Sequence, residues 1–244
     1  MKPYDDGVIR LEDHGDGIWR IEELFAIPSA RGAIWVVDGR DRRLVIDAGW
    51  GLVPLRERLP ALFDRPIVAV ASHTHFDHIG GLHQFAERLV HPLEAPILAE
   101  PGQEATQILP YLEEYPESLA FDPAGKGFTA RDWHIPPAPA TGLVEDGQVI
   151  ELGGRQIVCL HTPGHSPGHL CFYEETTRTL FPVDLVYKGE ILDDIPGADI
   201  GDLLESHRRL LTLDVERVLP GHFAPFDGRR LRELIDTYRH NRGA

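Results

Sequence analysis

The chain has 244 residues, which is enough to bury a substantial hydrophobic core in one or two domains. Hydrophobic residues make up 42% of it and charged residues 26%, which is typical of soluble globular proteins rather than disordered or membrane-spanning ones. The formal net charge of −15 disfavours nucleic acid as a partner, because an acidic surface repels phosphate groups.

The N-terminus and the apolar runs predict a cytoplasmic protein with no membrane partner. Residues 1–17 contain no apolar core of the kind found in secretory signals. All apolar runs have the length of strands, well below the roughly 20 residues that span a bilayer. Cys159 and Cys171 lie in strand-like sequence and are expected to be buried thiols rather than a disulfide. The sequence does not define the oligomeric state.

The first half of the chain predicts four strands, which are short apolar segments separated by turn residues. These segments are residues 17–24, 33–39, 43–49 and 66–72. The last one, PIVAVAS, is almost continuously apolar, which is typical of a strand covered on both faces. The segment after it predicts a helix, because apolar residues recur with the i, i+3, i+4, i+7 spacing of one helical face. These residues are Leu82, Phe85, Ala86 and Leu89.

Residues 101–140 differ in composition from the segments on either side. Seven prolines are interleaved there with the aromatic residues Tyr111, Tyr115, Phe121, Phe128 and Trp133. So many prolines disfavour a regular sheet, and so many aromatic residues disfavour a solvated linker. The segment is therefore expected to be either a surface excursion packed on the core or a lid beside a substrate site.

The second half predicts four more strands and then two helices. The strands are residues 148–152, 155–160, 169–173 and 178–184. One helix carries Leu203, Leu204, His207 and Leu211 on one side, and the C-terminal helix carries Leu231, Leu234, Ile235 and Tyr238. Periodicity alone therefore indicates a mixed α and β protein, without specifying how its layers are arranged.

The segment SHTHFDHIGG, residues 72–81, concentrates three histidines and one aspartate between an apolar strand and a pair of glycines. His73 and His75 are two residues apart at a strand end, so they point to the same side and can converge on one point. Asp77 and His78, on the turn that follows, can reach a second point nearby. The glycines permit close backbone approach. Imidazole and carboxylate groups suit Zn²⁺, or Mn²⁺ and Fe²⁺ where these are supplied.

Three later segments place further candidate ligands at strand ends. CLHTPGHSPGHL carries His161, His165 and His169, LFPVDLVY ends a strand on Asp184, and VLPGHFAP ends an apolar run on His222. Together with HTHFDH, these motifs resemble the metallo-β-lactamase superfamily in order and approximate spacing, from about residue 17 to residue 235. The resemblance implies an α+β four-layer αββα sandwich. It also implies one metallo-β-lactamase-fold domain over residues 1–244, in which 101–140 is a lid or insertion bordering the active site.

The resemblance further implies a role for each motif residue. His73, His75 and His165 would bind a first metal, Asp77, His78 and His222 a second, and Asp184 would bridge both. Asp47, in VIDAG, matches an aspartate that contacts a ligand rather than a metal. One departure is that Pro182 and Val183 stand where the family usually has a small residue and glycine before the bridging aspartate.

The remaining histidines match no ligand position. His161 and His169 flank His165, so they are expected either to orient ligands or to serve as structural residues. The others are expected to be surface or packing residues: His14, His83, His91, His134, His207 and His240.

The implied cofactors are two Zn²⁺ ions, with Mn²⁺ or Fe²⁺ as alternatives. Two such ions lower the pKa of a shared water to about 7, so a metal-bridging hydroxide would attack a carbonyl carbon. Asp77 would be the catalytic residue that orients the hydroxide. The sequence has no G-x-S-x-G motif, and neither cysteine lies near a candidate base, so no protein nucleophile is indicated.

Longer blocks narrow the resemblance to one branch of the superfamily. DGIWRIEELF, SHTHFDHIGGLHQF, DLVYKGEILDDIPGADI and RVLPGHFAPF are similar to the branch that includes acyl-coenzyme A thioesterases. The expected partner is a small-molecule ester, thioester or lactone, and an acyl-coenzyme A thioester is the first choice. A thiol with a pKa of about 8.5 leaves as the thiolate, with little need for protonation. Tyr187, Ile191 and Leu192 are expected to line an acyl pocket with the apolar residues of 101–140.

Three classes of alternative stay open at this point: another hydrolase, an oxidoreductase and a binding module. The same site would serve a lactonase or a β-lactam hydrolase. A mononuclear iron persulfide dioxygenase-like oxidoreductase would use two histidines and the bridging aspartate, but the second ligand set is complete here. Diiron relatives replace the second histidine of the motif by glutamate, and His75 argues against that type. A binding module without catalysis would be expected to have lost ligands.

Overall fold

The computed structural model describes residues 2–123, 125 and 127–243. Within these residues, eight strands form the first sheet: β1 Tyr4–Asp5, β2 Ile9–Asp13, β3 Ile18–Glu23, β4 Ile34–Asp38, β5 Arg43–Ile46, β6 Ile67–Val70, β7 Glu87–Val90 and β8 Gly142–Leu143. Six strands form the second: β9 Val149–Glu151, β10 Gln156–His161, β11 Leu170–Glu174, β12 Thr179–Val183, β13 Arg217–Pro220 and β14 Phe226–Asp227.

In the described part of the chain, six α-helices and four short 3₁₀ helices lie between or after these strands. The α-helices are α1 Leu55–Arg58, α2 Phe76–Ile79, α3 Ala95–Ala99, α4 Ile108–Glu114, α5 Ile200–Leu211 and α6 Gly228–Asn241. The 3₁₀ helices are Pro28–Ala30, Pro60–Leu62, Leu82–Gln84 and Pro116–Ser118.

Both sheets are mixed. The first sheet follows chain order, with antiparallel pairs from β1 to β5 and parallel pairs from β5 to β8. The second runs β14-β13-β12-β11-β10-β9, and its one parallel pair among the described strands is β12 with β13. Parallel neighbours point their carboxyl ends to the same edge, so the loops that follow β5, β6 and β7 meet there.

Successive side chains of a strand point to opposite faces of the sheet, and this explains the layers. On β4, Ile34 and Val36 pack with the helices on one side of the first sheet, whereas Trp35 and Val37 pack against the second sheet. Such a strand is buried on both faces, and this accounts for its continuous apolar sequence. The core between the sheets joins residues of β3–β6 to residues of β9–β13. This arrangement confirms the αββα sandwich.

The second outer layer consists of α5 and α6. Leu203 and Leu210 of α5 and Leu231 and Ile235 of α6 pack on the outer face of the second sheet. An aspartate caps each helix: Asp199 accepts from the N–H of Asp202, and Asp227 accepts from the N–H of Arg230. These caps satisfy helix N–H groups that have no partner within the helix. Both helices therefore confirm the sequence prediction.

The helix predicted from Leu82 to Leu89 is wrong. Only Leu82–Gln84 is helical, as a single 3₁₀ turn, and Glu87–Val90 is strand β7. β7 pairs in parallel with β6, and its ladder hydrogen bonds replace those of a helix. Four apolar residues at helical spacing are too few to outweigh a strand position of this kind.

Residues 101–140 contain helix α4 and pack across the helical face of the first sheet. Trp133 stacks on the buried Trp50, with ring centroids 5.2 Å apart and planes 14° apart. Phe128 and Tyr111 also pack against this core. The segment is thus attached to the body of the molecule through aromatic contacts.

The prediction of two buried thiols is confirmed, since Cys159 and Cys171 are both buried and unpaired. Among the described residues, no helix is long and apolar enough to cross a membrane.

A buried carboxyl group at the end of β3 predicts pH-dependent stability. Glu23 is fully buried, one of its carboxylate oxygens accepts from the N–H of Trp50 at 2.6 Å, and burial raises its pKa to about 8. The folded state therefore binds this proton more tightly than the unfolded chain, whose glutamate has the ordinary value of 4.5. This contribution to stability is complete below pH 4.5 and is lost as the pH rises towards 8.

We expect Glu23→Gln, which resembles the protonated carboxyl group, to remove this part of the pH dependence. Between pH 6 and pH 9, the unfolding free energy of the wild type should fall by on the order of 2 kcal/mol more than that of Glu23→Gln. Urea unfolding with a chelator present measures this without a contribution from bound cations. The exposed Glu57→Gln is the control and should behave as the wild type does. Identical pH profiles for Glu23→Gln and wild type would contradict the prediction.

Candidate metal centre

The structure brings all seven predicted ligand side chains together at one edge of the sandwich. His73 and His75 follow β6, and the short helix α2 that comes next carries Asp77 and His78. The other three lie after β10, β12 and β13, and are His165, Asp184 and His222. All seven are buried. The close backbone approach expected of the glycines is confirmed at Gly80, where a Cβ atom would lie 1.9 Å from the carbonyl oxygen of Trp50.

The first group consists of three histidines. His75 Nδ1 lies 3.1 Å from His73 Nε2 and 3.0 Å from His165 Nε2. One ring nitrogen from each residue therefore faces a common point, and these atoms lie within 4.8 Å of one another. Three imidazole nitrogens at this spacing match the donor set of a histidine-bound divalent cation.

The second group contains a carboxylate as well as two histidines. His222 Nε2 lies 3.4 Å from Asp77 Oδ2, and His78 Nε2 lies 3.6 Å from the same oxygen. Asp184 lies between the two groups: its Oδ2 is 3.5 Å from His165 Nε2 and 3.1 Å from His222 Nε2, while its Oδ1 is 3.4 Å from His78 Nε2. A carboxylate in this position can contact both points at once.

The unusual residues before Asp184 do not move it away from the cluster. Val183 adopts a left-handed conformation with φ 48°, which is strained for a β-branched residue. The glycine usual in the family would adopt it without strain. The backbone N–H of Asp184 donates to His169 Nε2 at 3.4 Å, and its carboxylate still reaches both groups. The departure therefore concerns strain rather than ligand placement.

The outer ring nitrogens of three histidines have fixed partners. His73 Nδ1 lies 2.9 Å from Ser72 Oγ, His78 Nδ1 lies 2.8 Å from Asp47 Oδ2, and His165 Nδ1 donates to a backbone carbonyl oxygen, that of Leu192. Such contacts orient the ring and select the tautomer whose other nitrogen is free to bind a cation. Asp47 contacts a candidate ligand, as the sequence predicted.

Charge is distributed unevenly between the two groups. Burial, reinforced by the neighbouring histidines, holds the pKa of His73 and His75 well below the ordinary value, so both rings are neutral. Burial also opposes protonation of His78, but the carboxylates of Asp184 and Asp77 outweigh it and raise its pKa well above the ordinary value. The second group thus carries an excess of negative charge that favours a bound proton or a cation, and a cation would release the proton.

Unsatisfied buried atoms support a cation at this position. His78 Nε2 and Asp184 Oδ1 are buried and have no hydrogen-bond partner among the described residues. Burying such atoms without a partner lowers the stability of the fold, unless a bound water or ion satisfies them. Nitrogen and carboxylate donors in this arrangement suit a divalent metal of the zinc, manganese or iron type. The seven residues present therefore fit the cofactor that the motifs imply.

A cavity of about 220 Å³ opens beside the cluster. Its floor includes Asp77 and Asp184, one wall comes from α4 and the residues after it, and the opposite wall comes from the loop after Asp184. Tyr111, Tyr115, Tyr187 and Leu192 line it. Ile191, expected in the same pocket, instead lines a second cavity of about 230 Å³ on the other side of Tyr187. Ile191 packs against the apolar cluster that includes Leu231 and Ile235 of α6.

Two residues beside the ligands were not predicted from the sequence. Ser72 contacts Asp47 through both its N–H and its hydroxyl group. Glu94 accepts hydrogen bonds from both ligand loops, although the sequence around it has no metal-binding pattern. A buried glutamate at the start of a helix has no local signature that separates such a role from simple capping.

The remaining histidines differ in their distance from the cluster. His169 lies beside it: burial lowers its pKa to about 3, and its neutral ring contacts Thr162 Oγ1 and the N–H of Asp184. His161 instead stacks on His91, with ring centroids 4.1 Å apart. His207 is buried against Tyr238 and donates to the carbonyl oxygen of Leu185, so it is a packing residue, as predicted.

The sequence matches the family model described as "Metallo-beta-lactamase superfamily" over residues 30–222. It is 40% identical over 238 residues to a Gallus gallus protein named acyl-coenzyme A thioesterase MBLAC2, a match that covers 92% of this chain and 84% of that protein. The Homo sapiens protein of the same name is 38% identical, with the same shares covered. A solved structure titled "Metallo-beta-lactamase from Pontibacter korlensis" is similar with a TM-score of 0.68 at 18% identity, over 93% of this chain and 99% of that one.

Proposed function

The chain belongs to the metallo-β-lactamase superfamily, and we propose that it is a binuclear metal-dependent hydrolase of acyl-coenzyme A thioesters. The observation that carries the proposal is the convergence of His73, His75 and His165 on one point and of Asp77, His78 and His222 on another, with Asp184 between them. Two relatives named acyl-coenzyme A thioesterase are 40% and 38% identical over 92% of the chain, which supports the choice of a thioester substrate.

The proposed cofactors are two Zn²⁺ ions; each histidine group would hold one of them, and Asp184 would contribute its carboxylate to both sites. When bound, they would supply Lewis acidity for the thioester carbonyl and would acidify the attacking water. Zinc is chosen over manganese or iron because the first group offers three imidazole nitrogens, with the Asp184 carboxylate beside them, and three protein ligands of this kind are typical of catalytic zinc sites.

The protein's own groups would position the reactants. Asp77, whose carboxylate lies in the cavity floor, would accept a hydrogen bond from the attacking water and so orient the water oxygen towards the carbonyl carbon. Tyr111, Tyr187 and Leu192 would enclose the acyl group and exclude other water. The thiolate of coenzyme A would leave with little help from a protein acid, because the pKa of a thiol is about 8.5.

We also propose that residues 101–140 form a lid within a single domain of residues 1–244. Gln107, Pro110, Tyr111, Glu114 and Tyr115 of this segment line the cavity, and aromatic stacking attaches it to the core. Two unpaired thiols support a cytoplasmic location, and the net charge of −15 argues against a nucleic-acid substrate.

The substrate proposal is tested by comparing turnover of palmitoyl-coenzyme A, an acyl-homoserine lactone and nitrocefin by the purified, zinc-supplemented protein. We expect thioester hydrolysis to have the highest kcat/KM. Preferential lactone or nitrocefin turnover would favour a lactonase or a β-lactam hydrolase on the same site. Metal analysis addresses the oxidoreductase alternative: two zinc ions per chain support hydrolysis, and a single iron supports persulfide oxidation.

The entrance of the cavity predicts a dependence on substrate charge. Glu114 and Asp194 are exposed and line the cavity, so they repel the phosphates of coenzyme A. We expect Glu114→Gln and Asp194→Asn each to raise kcat/KM for an acyl-coenzyme A by up to about fivefold, since an exposed charge pair is worth at most about 1 kcal/mol. The same acyl group on uncharged N-acetylcysteamine is the control.

Turnover of the uncharged thioester should not change in either variant, and the gain with coenzyme A should shrink at high salt because exposed charges are screened. Steady-state kinetics at low and high ionic strength measure both effects. Equal changes for the two thioesters would show that the substitutions act on something other than phosphate repulsion.

A further inference from the structure

Glu94 connects the two loops that carry the first histidine group. It lies at the start of α3 and is 2% exposed. One carboxylate oxygen, Oε2, accepts from the hydroxyl group of Thr74, which lies between His73 and His75. The other, Oε1, accepts from Ser166 Oγ at 2.7 Å and from the N–H of Gly168 at 2.9 Å. Three donors from two separate loops therefore share one buried carboxylate.

The loop after His165 is shaped to admit this carboxylate. A Cβ atom on Gly168 would lie 2.5 Å from Glu94 Cγ and 3.0 Å from Oε1, so any larger residue would push the side chain out. Thr74 and Ser166 are buried as well, at 1% and 5% exposure. Buried hydroxyl and N–H groups need partners, and in this structure Glu94 provides them.

The second group has a different anchor. Asp47 accepts from the N–H and the hydroxyl group of Ser72 at 2.7 and 2.8 Å, and its Oδ2 lies 2.8 Å from His78 Nδ1. Asp47 thus contacts a ring of the second group directly. Glu94 contacts neighbours of His73, His75 and His165, and its hydrogen bonds include no residue of the second group.

We infer that Glu94 is a positioning residue for the first cation, which fixes the spacing between the His73–His75 segment and His165. This inference rests on the cation-binding part of the proposed function. With the carboxylate in place, the three imidazoles are held near their binding geometry before the cation arrives, so less ordering is required on binding. Without it, His165 and its loop separate from the other two, and the first site weakens more than the second.

Zinc titration of the metal-stripped, full-length protein against a chromophoric chelator tests this inference. We expect Glu94→Ala to weaken one of the two affinities by about 10–100-fold, the range found when residues that orient metal ligands are removed. Asp47→Ala is the matched variant and should weaken chiefly the other affinity, because Asp47 contacts His78 directly and reaches His73 only through Ser72. Glu94→Gln should retain most of the first affinity, because its amide oxygen can accept from Ser166 and Gly168 and its amide N–H can donate to the Thr74 hydroxyl group.

Anomalous diffraction from crystals grown with limiting zinc identifies the weakened site. In Glu94→Ala, occupancy should fall at His73, His75 and His165 and persist at the second group, whereas in Asp47→Ala the second group should lose more occupancy than the first. Equal loss at both positions, with lower stability of the metal-free protein, would show a structural role only and overturn the inference. Unchanged occupancy would overturn it as well.

A second perturbation guards against misfolding of the alanine variant. Thr74→Val removes one hydrogen bond to Glu94 while keeping the shape of the side chain, and should weaken the first site alone; Thr74→Ser keeps the hydroxyl group and should not. If the wild type binds no zinc, the proposed function fails as well. If the wild type binds two ions and hydrolyses thioesters while neither variant is selective, the inference about Glu94 fails alone.

Discussion

Asp184→Asn should abolish thioester hydrolysis, with kcat/KM falling by roughly 10³ or more. Asp184 is the one carboxylate within 3.5 Å of histidines from both groups among the described residues, so removing its charge affects both cation sites. A bound cation stabilises the transition state by several kcal/mol, and each 1.36 kcal/mol is tenfold in rate. Zinc content should fall below two per chain in the same preparation, as measured by mass spectrometry.

The isosteric substitution keeps the size of the side chain, so circular dichroism should show an unchanged fold. Asp236→Asn, on the exposed face of α6, is the control and should keep both activity and zinc. An Asp184→Asn protein that retained two zinc ions and wild-type turnover would contradict the assignment of Asp184 to both sites.

Trp50→Ala should have the largest effect on stability and should release residues 101–140 from the core. Trp50 is 1% exposed, its Nε1 donates to the carbonyl oxygen of Ala30 at 2.7 Å, and its ring contacts Phe76 and Trp133. Truncating a buried tryptophan costs about 3–5 kcal/mol, so the unfolding free energy should fall by that amount. The midpoint of thermal unfolding should then fall by about 10 °C.

Trp133→Ala removes the other half of the stacked pair and separates the two effects. Trp133 is half-buried, so its truncation should cost less stability and yet increase proteolytic cleavage within 101–140 as much as Trp50→Ala does. Tyr4→Ala, on an exposed strand, is the neutral control. Unchanged proteolysis in both tryptophan variants would show that the stacked pair does not attach the segment.

The candidate ligands were predictable because each of them lies at, or a few residues after, the end of an apolar run. His73, His75 and Asp184 follow strands, and a strand end of a layered protein points to a common edge. The layered arrangement itself required the resemblance, because the continuous apolar sequence of β4 indicates burial on both faces without showing what covers them.

Strand β7 and Glu94 are two features that escaped prediction for physical reasons. Strand β7 has only four residues, and its apolar residues also fit one turn of a helix, so only its pairing with β6 separates the two. Glu94 contacts residues 20 and 72 positions away, and such contacts depend on the tertiary fold. A local sequence window around Glu94 contains neither partner, so no spacing rule identifies it.

The central claim is that the clustered histidines and aspartates bind two cations that make the protein a thioester hydrolase. Zinc titration of metal-stripped protein, with acyl-coenzyme A hydrolysis followed in the same sample, tests it most directly. We predict negligible turnover without zinc and a rise that reaches a plateau at two equivalents per chain. Equal turnover in the stripped protein, or no thioester hydrolysis at any zinc concentration, would contradict the claim.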